Sequence, residues 1–136
     1  MRTSPNRLIA VIIGAFYLVA GASGLIATVG AGFFATPGRL LIGLFTVNPF
    51  ASAVDMLIGA ALAIAGLTTI AASKIVTTIT GVIFLAMGIA GLFVIGTALN
   101  ILALNGADNV LHLASSVLLL AVGLGADRSV KTVVTS

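Results

Sequence analysis

Four long apolar stretches, at about 8–30, 51–70, 75–96 and 109–126, are separated by short polar breaks, and polar positions recur in two of them at helical spacing. Asn48, Ser52, Asp55 and Gly59 stand at i, i+4, i+7 and i+11, which places them on one face of an α-helix. Asn105, Asn109, His112 and Ser116 repeat that spacing 57 residues later, so Asp55 corresponds in position to the chain's only His. The breaks are distinct: Thr36-Pro37-Gly38-Arg39, then Thr68 to Lys74, then the turn signature Asn105-Gly106-Ala107-Asp108, where Asp108 is placed to cap the following helix. Leu40–Val47 and Thr97–Leu104 are apolar, helix-compatible and too short to span a bilayer. They are expected as interfacial pieces or extended helix ends, each finishing near an Asn that marks a helix terminus.

Composition decides the environment. Of the 136 residues, 60% are hydrophobic and only 7% are charged, with no Glu. A soluble domain carries roughly 25% charged residues. A membrane helix needs about 20 apolar residues, so four spans use up nearly the whole chain and leave no room for a soluble catalytic domain. The net charge of +3 comes from six scattered basic residues and forms no nucleic-acid-binding patch. Without Cys there are no disulfides and no thiolate nucleophiles or metal ligands. Trp is also absent, so interfacial anchoring is expected from Tyr17, the seven Phe and the terminal basic residues.

The basic residues report orientation. With both termini cytoplasmic, the inner side holds Arg2, Arg7, Lys74, Arg128 and Lys131, and the outer side only Arg39. Arg2, Arg7, an apolar run and Ala20-Gly21-Ala22 imitate a cleavable signal peptide. The run extends to about Gly30, however, and the first span has a later counterpart, so it is read as a retained helix.

That counterpart implies a duplication. Gly14, Leu18, Gly21, Gly24 and Leu25 align with Gly81, Leu85, Gly88, Gly91 and Leu92 at an offset of 67, with Tyr17 opposite Phe84. Spans two and four align at 57, and the difference fits a longer outer connection around Phe33 to Leu40. The expected fold is an all-α four-helix membrane bundle, one transmembrane domain over residues 1–136. Its two tandem two-helix repeats (about 8–70 and 75–126) are related by a pseudo-two-fold axis along the membrane normal. The glycines are expected as close helix contacts.

Asp55 and His112 then lie about one turn inside their helices, toward the outer side. Three readings are open: an interhelical lock in which the pair bonds across the axis, an outward-facing polar binding pocket, or a proton-handling pair. One His and one Asp supply too few ligands for a closed zinc site, and a haem with two axial His would draw His112 from two chains. No cofactor is therefore expected. Ser115 and Ser116 follow His112 too closely to form a triad with it and are expected to be packing hydroxyls bonded to the preceding turn. Asp127 and Arg128 read as ordinary charges at the inner end of helix four.

The run Asn105-Gly106-Ala107-Asp108-Asn109-Val110-Leu111-His112-Leu113 resembles the signature of the small bacterial membrane proteins of domain-of-unknown-function family 4383, common in actinobacteria. The resemblance implies a four-span plasma-membrane protein with an Asn/Asp/His motif at the fourth span, and brings no substrate or reaction. Together these readings predict a non-enzymatic accessory, scaffold or binding subunit. Its polar outer site, between helices two and four, comprises Asn48, Ser52, Asp55, Asn105, Asp108, Asn109, His112 and Ser116. The alternative is a small proton-handling or solute-transport component using Asp55 and His112. The expected partners are the lipid bilayer and a second copy of the chain or a larger membrane complex, with no nucleic acid.

Overall fold

The computed structural model describes residues 4–128. Arg2 and Lys131, which enter the charge count above, lie outside this range. Four helices, α1 (Pro5–Ala27), α2 (Pro49–Leu67), α3 (Ile70–Val94) and α4 (Gly106–Gly125), are each long and apolar enough to cross a membrane. Their 19 to 25 residues correspond to about 28–38 Å at about 1.5 Å per residue, against a hydrocarbon core of about 30 Å. Their flanks follow from capping chemistry. Ser4, Asn48, Thr69 and Asn105 are the N-caps, each side chain accepting a backbone N–H of the first turn, and Pro5 and Pro49 follow their caps directly.

The expectation for Leu40–Val47 is overturned. This segment belongs to a β-hairpin of β1 (Arg39–Leu41) and β2 (Phe45–Val47), with Arg39 paired to Val47 and Leu41 to Phe45. The turn is closed by the Leu44 N–H donating to the Leu41 carbonyl at 3.1 Å, with positive φ at Ile42 (48°) and Gly43 (73°). Gly43 supplies the left-handed conformation such a turn needs. Thr97–Leu104 is likewise not helical. Asn100 organises it, donating to the Leu104 carbonyl and accepting the Leu104 N–H, both at 2.8 Å. Asn105-Gly106-Ala107-Asp108 proves to be a helix start rather than a free turn.

Within the bundle α1 packs most extensively on α2, and α3 on α4. The glycines set these contacts. A Cβ at Gly14 would meet the backbone at Ala63 N and Gly59 O, and one at Gly21 the backbone at Ser52 O and Met56 N. Gly81 and Gly88 stand against Leu120 and Leu113, where a Cβ would first meet the leucine side chain rather than the backbone. In lipid, where no hydrophobic force draws helices together, such close approach is a main source of association. Ala10, Tyr17, Leu62, Phe84 and Leu119 form the buried centre. Tyr17, expected as an interfacial anchor, is instead 1% exposed, 4.6 Å from the Phe84 ring, with its hydroxyl 2.9 Å from Ser115 Oγ. The exposed aromatic cluster is Phe33, Phe34 and the less exposed Phe50, beside the hairpin.

The opposite end of the bundle is held by charges on helix termini. Arg7 Nε donates to the Gly66 carbonyl at 2.9 Å, and Lys74 Nζ to the Ala126 carbonyl at 3.2 Å, so a cation satisfies the C-terminal end of α2 and of α4. Asp127 is no ordinary surface charge. Its Oδ2 accepts the Ser4 hydroxyl (2.7 Å), the Asn6 side-chain amide (2.9 Å) and the Asn6 backbone N–H (3.1 Å), which ties the end of α4 to the start of α1. Burial acts to raise the Asp127 pKa, but these hydrogen bonds and nearby Lys74 outweigh it, and the carboxyl lies below its ordinary value.

Candidate functional site

The hairpin end of the bundle gathers most of the polar residues singled out by the sequence. Asn48 and Asn105 each cap a helix and also reach across to the other half. Asn48 Nδ2 donates to the Ile101 carbonyl at 2.8 Å and the Ala35 carbonyl at 3.2 Å; Asn105 Nδ2 donates to the Leu44 carbonyl at 2.9 Å. Asp108 closes a capping box, its Oδ2 accepting the Asn105 N–H at 2.9 Å and the Thr46 N–H at 3.2 Å. Thr46 Oγ1 also donates to the Ala103 carbonyl. The hairpin is thereby fastened to the start of α4.

The two polar stripes turn out to be helix-contact faces. Ser52 and Gly59 lie against α1, where a Cβ at Gly24 would overlap Ser52 Oγ and one at Gly59 would come within 2.5 Å of Leu18 N. Asn109 occupies the same relation to Gly91, its Oδ1 standing where a Cβ would be. Ser52 Oγ and Asn109 Oδ1 are buried and form no conventional hydrogen bond. Each faces a glycine Cα–H, a weak contact typical of helix crossings. Ser116 Oγ donates to the Leu113 carbonyl at 2.8 Å, as expected of a packing hydroxyl.

Asp55 and His112 do not form the interhelical lock, one of the three readings left open by the sequence. Among the described residues no hydrogen bond or ion pair joins them, and α2 and α4 barely touch. Both instead line one cavity of about 490 Å³, walled by the second half of α1, the start of α2, the start of α4 and the hairpin, with Met87 of α3. The site is thus not confined between α2 and α4. Asp55 and His112 each lie six residues past the first residue of their helix, about 9 Å in, deeper than the sequence suggested. His112 is 5% exposed, its ring stacked 5.2 Å from Phe84, and neither ring nitrogen has a hydrogen-bond partner among the described residues. Half-buried Asp55 has no hydrogen bond either. Asp108 is the third acidic or imidazole group on the cavity, and the other walls are mostly apolar, including Phe16, Leu41, Phe45 and Leu104. Phe45 and Thr46 escaped the sequence reading, although Thr46 is the one hydroxyl in an apolar run and could have been singled out. The described residues contain no cluster of three His, Cys, Asp or Glu able to hold a metal.

Fold and site together define a four-helix protein of membrane-spanning dimensions with a hairpin-walled cavity near one end of the bundle. The chain belongs to the family described as a domain of unknown function, DUF4383, which matches residues 7–125. No curated protein and no solved structure matches it.

Proposed function

We propose that this is a non-enzymatic membrane protein that binds a small amphipathic molecule in the hairpin-end cavity, alone or as a subunit of a larger assembly. One observation carries the reading: a cavity of about 490 Å³ with mostly apolar walls receives Asp55 and His112, neither of which has a hydrogen-bond partner among the described residues. That volume lies within the usual range of about 300–1,000 Å³ for ligand pockets, which pair apolar walls with a few convergent polar groups. Buried polar groups are ordinarily bonded, so an unbonded imidazole in a cavity is best explained by a partner supplied from outside the chain. Co-purification tests it. Mass spectrometry of protein taken from native membranes should reveal a small molecule retained by the wild type and lost from Ala20→Phe, which fills the cavity. Equal small-molecule content in both proteins counts against the proposal.

The excess of Arg and Lys at the termini end supports our reading that this end is cytoplasmic and that the cavity faces the outer side of a plasma membrane. Since the chain has no native Cys, single substitutions report this cleanly: Leu44→Cys should react with an impermeant thiol reagent in intact cells, and Ala71→Cys only after lysis. We also infer that the two halves are copies of one two-helix unit. Offsets of 67 and 57 carry Gly14 against Ala63 onto Gly81 against Leu120, and Gly24 against Ser52 onto Gly91 against Asn109. They also carry Arg7 onto Lys74, each capping the helix after it. The bond from Asn48 to Ile101 maps onto the bond from Asn105 to Leu44, a reciprocal exchange such as a two-fold axis generates. On this reading Asp55 and His112 are one ancestral position that diverged chemically. A second reading, proton handling, draws on Asp55, Asp108 and His112 sharing one cavity. It requires pH-driven flux in liposomes that is lost in His112→Gln.

A further inference from the structure

We propose that the occupant of the cavity is a lipophilic cation: an amine whose ammonium sits between the Asp55 carboxylate and the His112 ring, and whose apolar body lies along α1 and the hairpin. This rests on the reading of the cavity as a binding site and adds the charge of its ligand.

The cavity presents carboxyl groups, those of Asp55 and Asp108, and no described Lys or Arg. Arg39, at the start of β1, donates to the Ala27 carbonyl at the end of α1 and is not among the lining residues. The two carboxylates are not equivalent. Asp108 Oδ2 already accepts from Asn105 and Thr46 and has a structural duty at the start of α4. Asp55 accepts no hydrogen bond among the described residues, so its acceptor capacity is open to a ligand. A neutral imidazole adds one acceptor nitrogen, which suits an N–H donor and offers nothing to a carbonyl-only ligand unless its N–H is turned inward.

Charge balance selects among headgroups. An anionic head, such as a phosphate or a fatty carboxylate, would meet two like charges with no Lys or Arg among the lining residues to offset them. An uncharged head leaves the Asp55 carboxylate without a counter-ion in a largely apolar surround. An ammonium satisfies both demands, with charge-assisted hydrogen bonding to Asp55 and attraction to the aromatic rings of Phe16, Tyr17 and Phe45 among the lining residues.

Three probes with one body and different heads test this: phenylbutylamine, phenylbutanol and phenylbutyrate. Each is measured by equilibrium dialysis against the full chain in lipid nanodiscs, with empty nanodiscs subtracted. The amine should bind saturably and about tenfold or more tighter than the other two, the ratio expected for one hydrogen bond to a charged group. Asp55→Asn, which breaks no bond within the protein, should weaken amine binding by about the same factor and leave phenylbutanol unchanged; Asp55→Glu should keep the amine preference. Equal affinity for amine and alcohol, or an amine affinity unmoved by Asp55→Asn, overturns the cation assignment and leaves the cavity reading standing. No saturable binding of any probe, or undiminished binding to Ala20→Phe, overturns both.

Discussion

Replacing Gly14 or Gly21 by alanine at the α1–α2 crossing should separate the two helices measurably, and the same change at Gly88, on the α3–α4 crossing, should be cheaper. A Cβ at Gly14 would lie 2.6 Å from Ala63 N and 2.8 Å from Gly59 O; at Gly21 it would lie 2.6 Å from Ser52 O and 2.7 Å from Met56 N. These are backbone atoms, which cannot rotate away. Restoring an ordinary contact of 3.4 Å from 2.6 Å requires α1 and α2 to part by about 0.8 Å. Overpacking of this kind costs about 1–3 kcal/mol per site. The higher helix propensity of Ala offsets little of it, because helices that dissociate within a membrane remain helical. At Gly88 the obstacle is different: the closest atoms are Leu113 Cδ2 and Cγ, at 2.5 and 2.6 Å, while Leu113 N is 3.5 Å away. A leucine side chain can change rotamer, so Gly88→Ala should cost under about 1 kcal/mol. Gly106 and Gly125 meet nothing within 4 Å and serve as controls.

The protein supplies its own probe. Tyr17 is the only Tyr in a chain without Trp, and it is buried against Phe84, so its emission reports the bundle centre alone. Reversible unfolding in mixed micelles, followed by Tyr17 emission and helical circular dichroism together, separates loss of tertiary contact from loss of helix. Gly14→Ala and Gly21→Ala should shift the emission transition strongly while the dichroism of the unfolded state stays helical. The reasoning fails if Gly14→Ala is as stable as Gly106→Ala, or if Gly88→Ala is the more damaging change.

Two other consequences concern the ends of the bundle. Asn48→Ala removes a cap and two donated bonds from a fully buried side chain, a loss of about 2–3 kcal/mol; Asn105→Ala, on a half-buried residue, should cost about 1–2 kcal/mol in the same unfolding measurement. An equal cost at both positions would mean that the link from Asn48 to Ile101 contributes nothing. At the other end, the lowered pKa of Asp127 means that its ionised form is favoured by folding, so that contribution is present above the ordinary carboxylate value of 3.8 and is lost as pH falls through the lower folded value. Asp127→Asn keeps an acceptor but not the charge. Wild type should therefore exceed this variant in stability near pH 6 and lose the advantage in titrations carried below about pH 4, where a pH-independent difference would refute the assignment.

The four helices were legible because membrane insertion imposes one simple rule, a run of about 20 apolar residues with its backbone bonded internally. Helix starts were legible to about two residues. Asn48 and Asn105 stood out as terminus residues, but the spans were expected from about Ala51 and Asp108. The helices begin instead at Pro49 and Gly106, with Asn105 rather than Asp108 as the cap. The hairpin was hidden for a physical reason. Leu40 to Val47 is apolar almost throughout, so it shows no alternation of two, and only Gly43 and the β-branched Thr46-Val47 pair point to a turn between strands.

The Asp55/His112 lock failed for another reason. A shared helical face says which residues point the same way, but not which neighbour they point at. Both stripes contain small residues, Ser52 and Gly59 in one and Ser116 in the other, and both halves hold glycines at matching intervals on the preceding helix. Small against small is the cheapest close contact in lipid, so each stripe turned toward the helix before it rather than toward its twin. Asp55 and His112, too large for those seams, were left facing the cavity, while Asn48 and Asn105 made the cross-connections between halves. The residues that looked like the fastening therefore make no hydrogen bond among the described residues, and freedom from a structural bond is the condition that the proposed binding role requires of them.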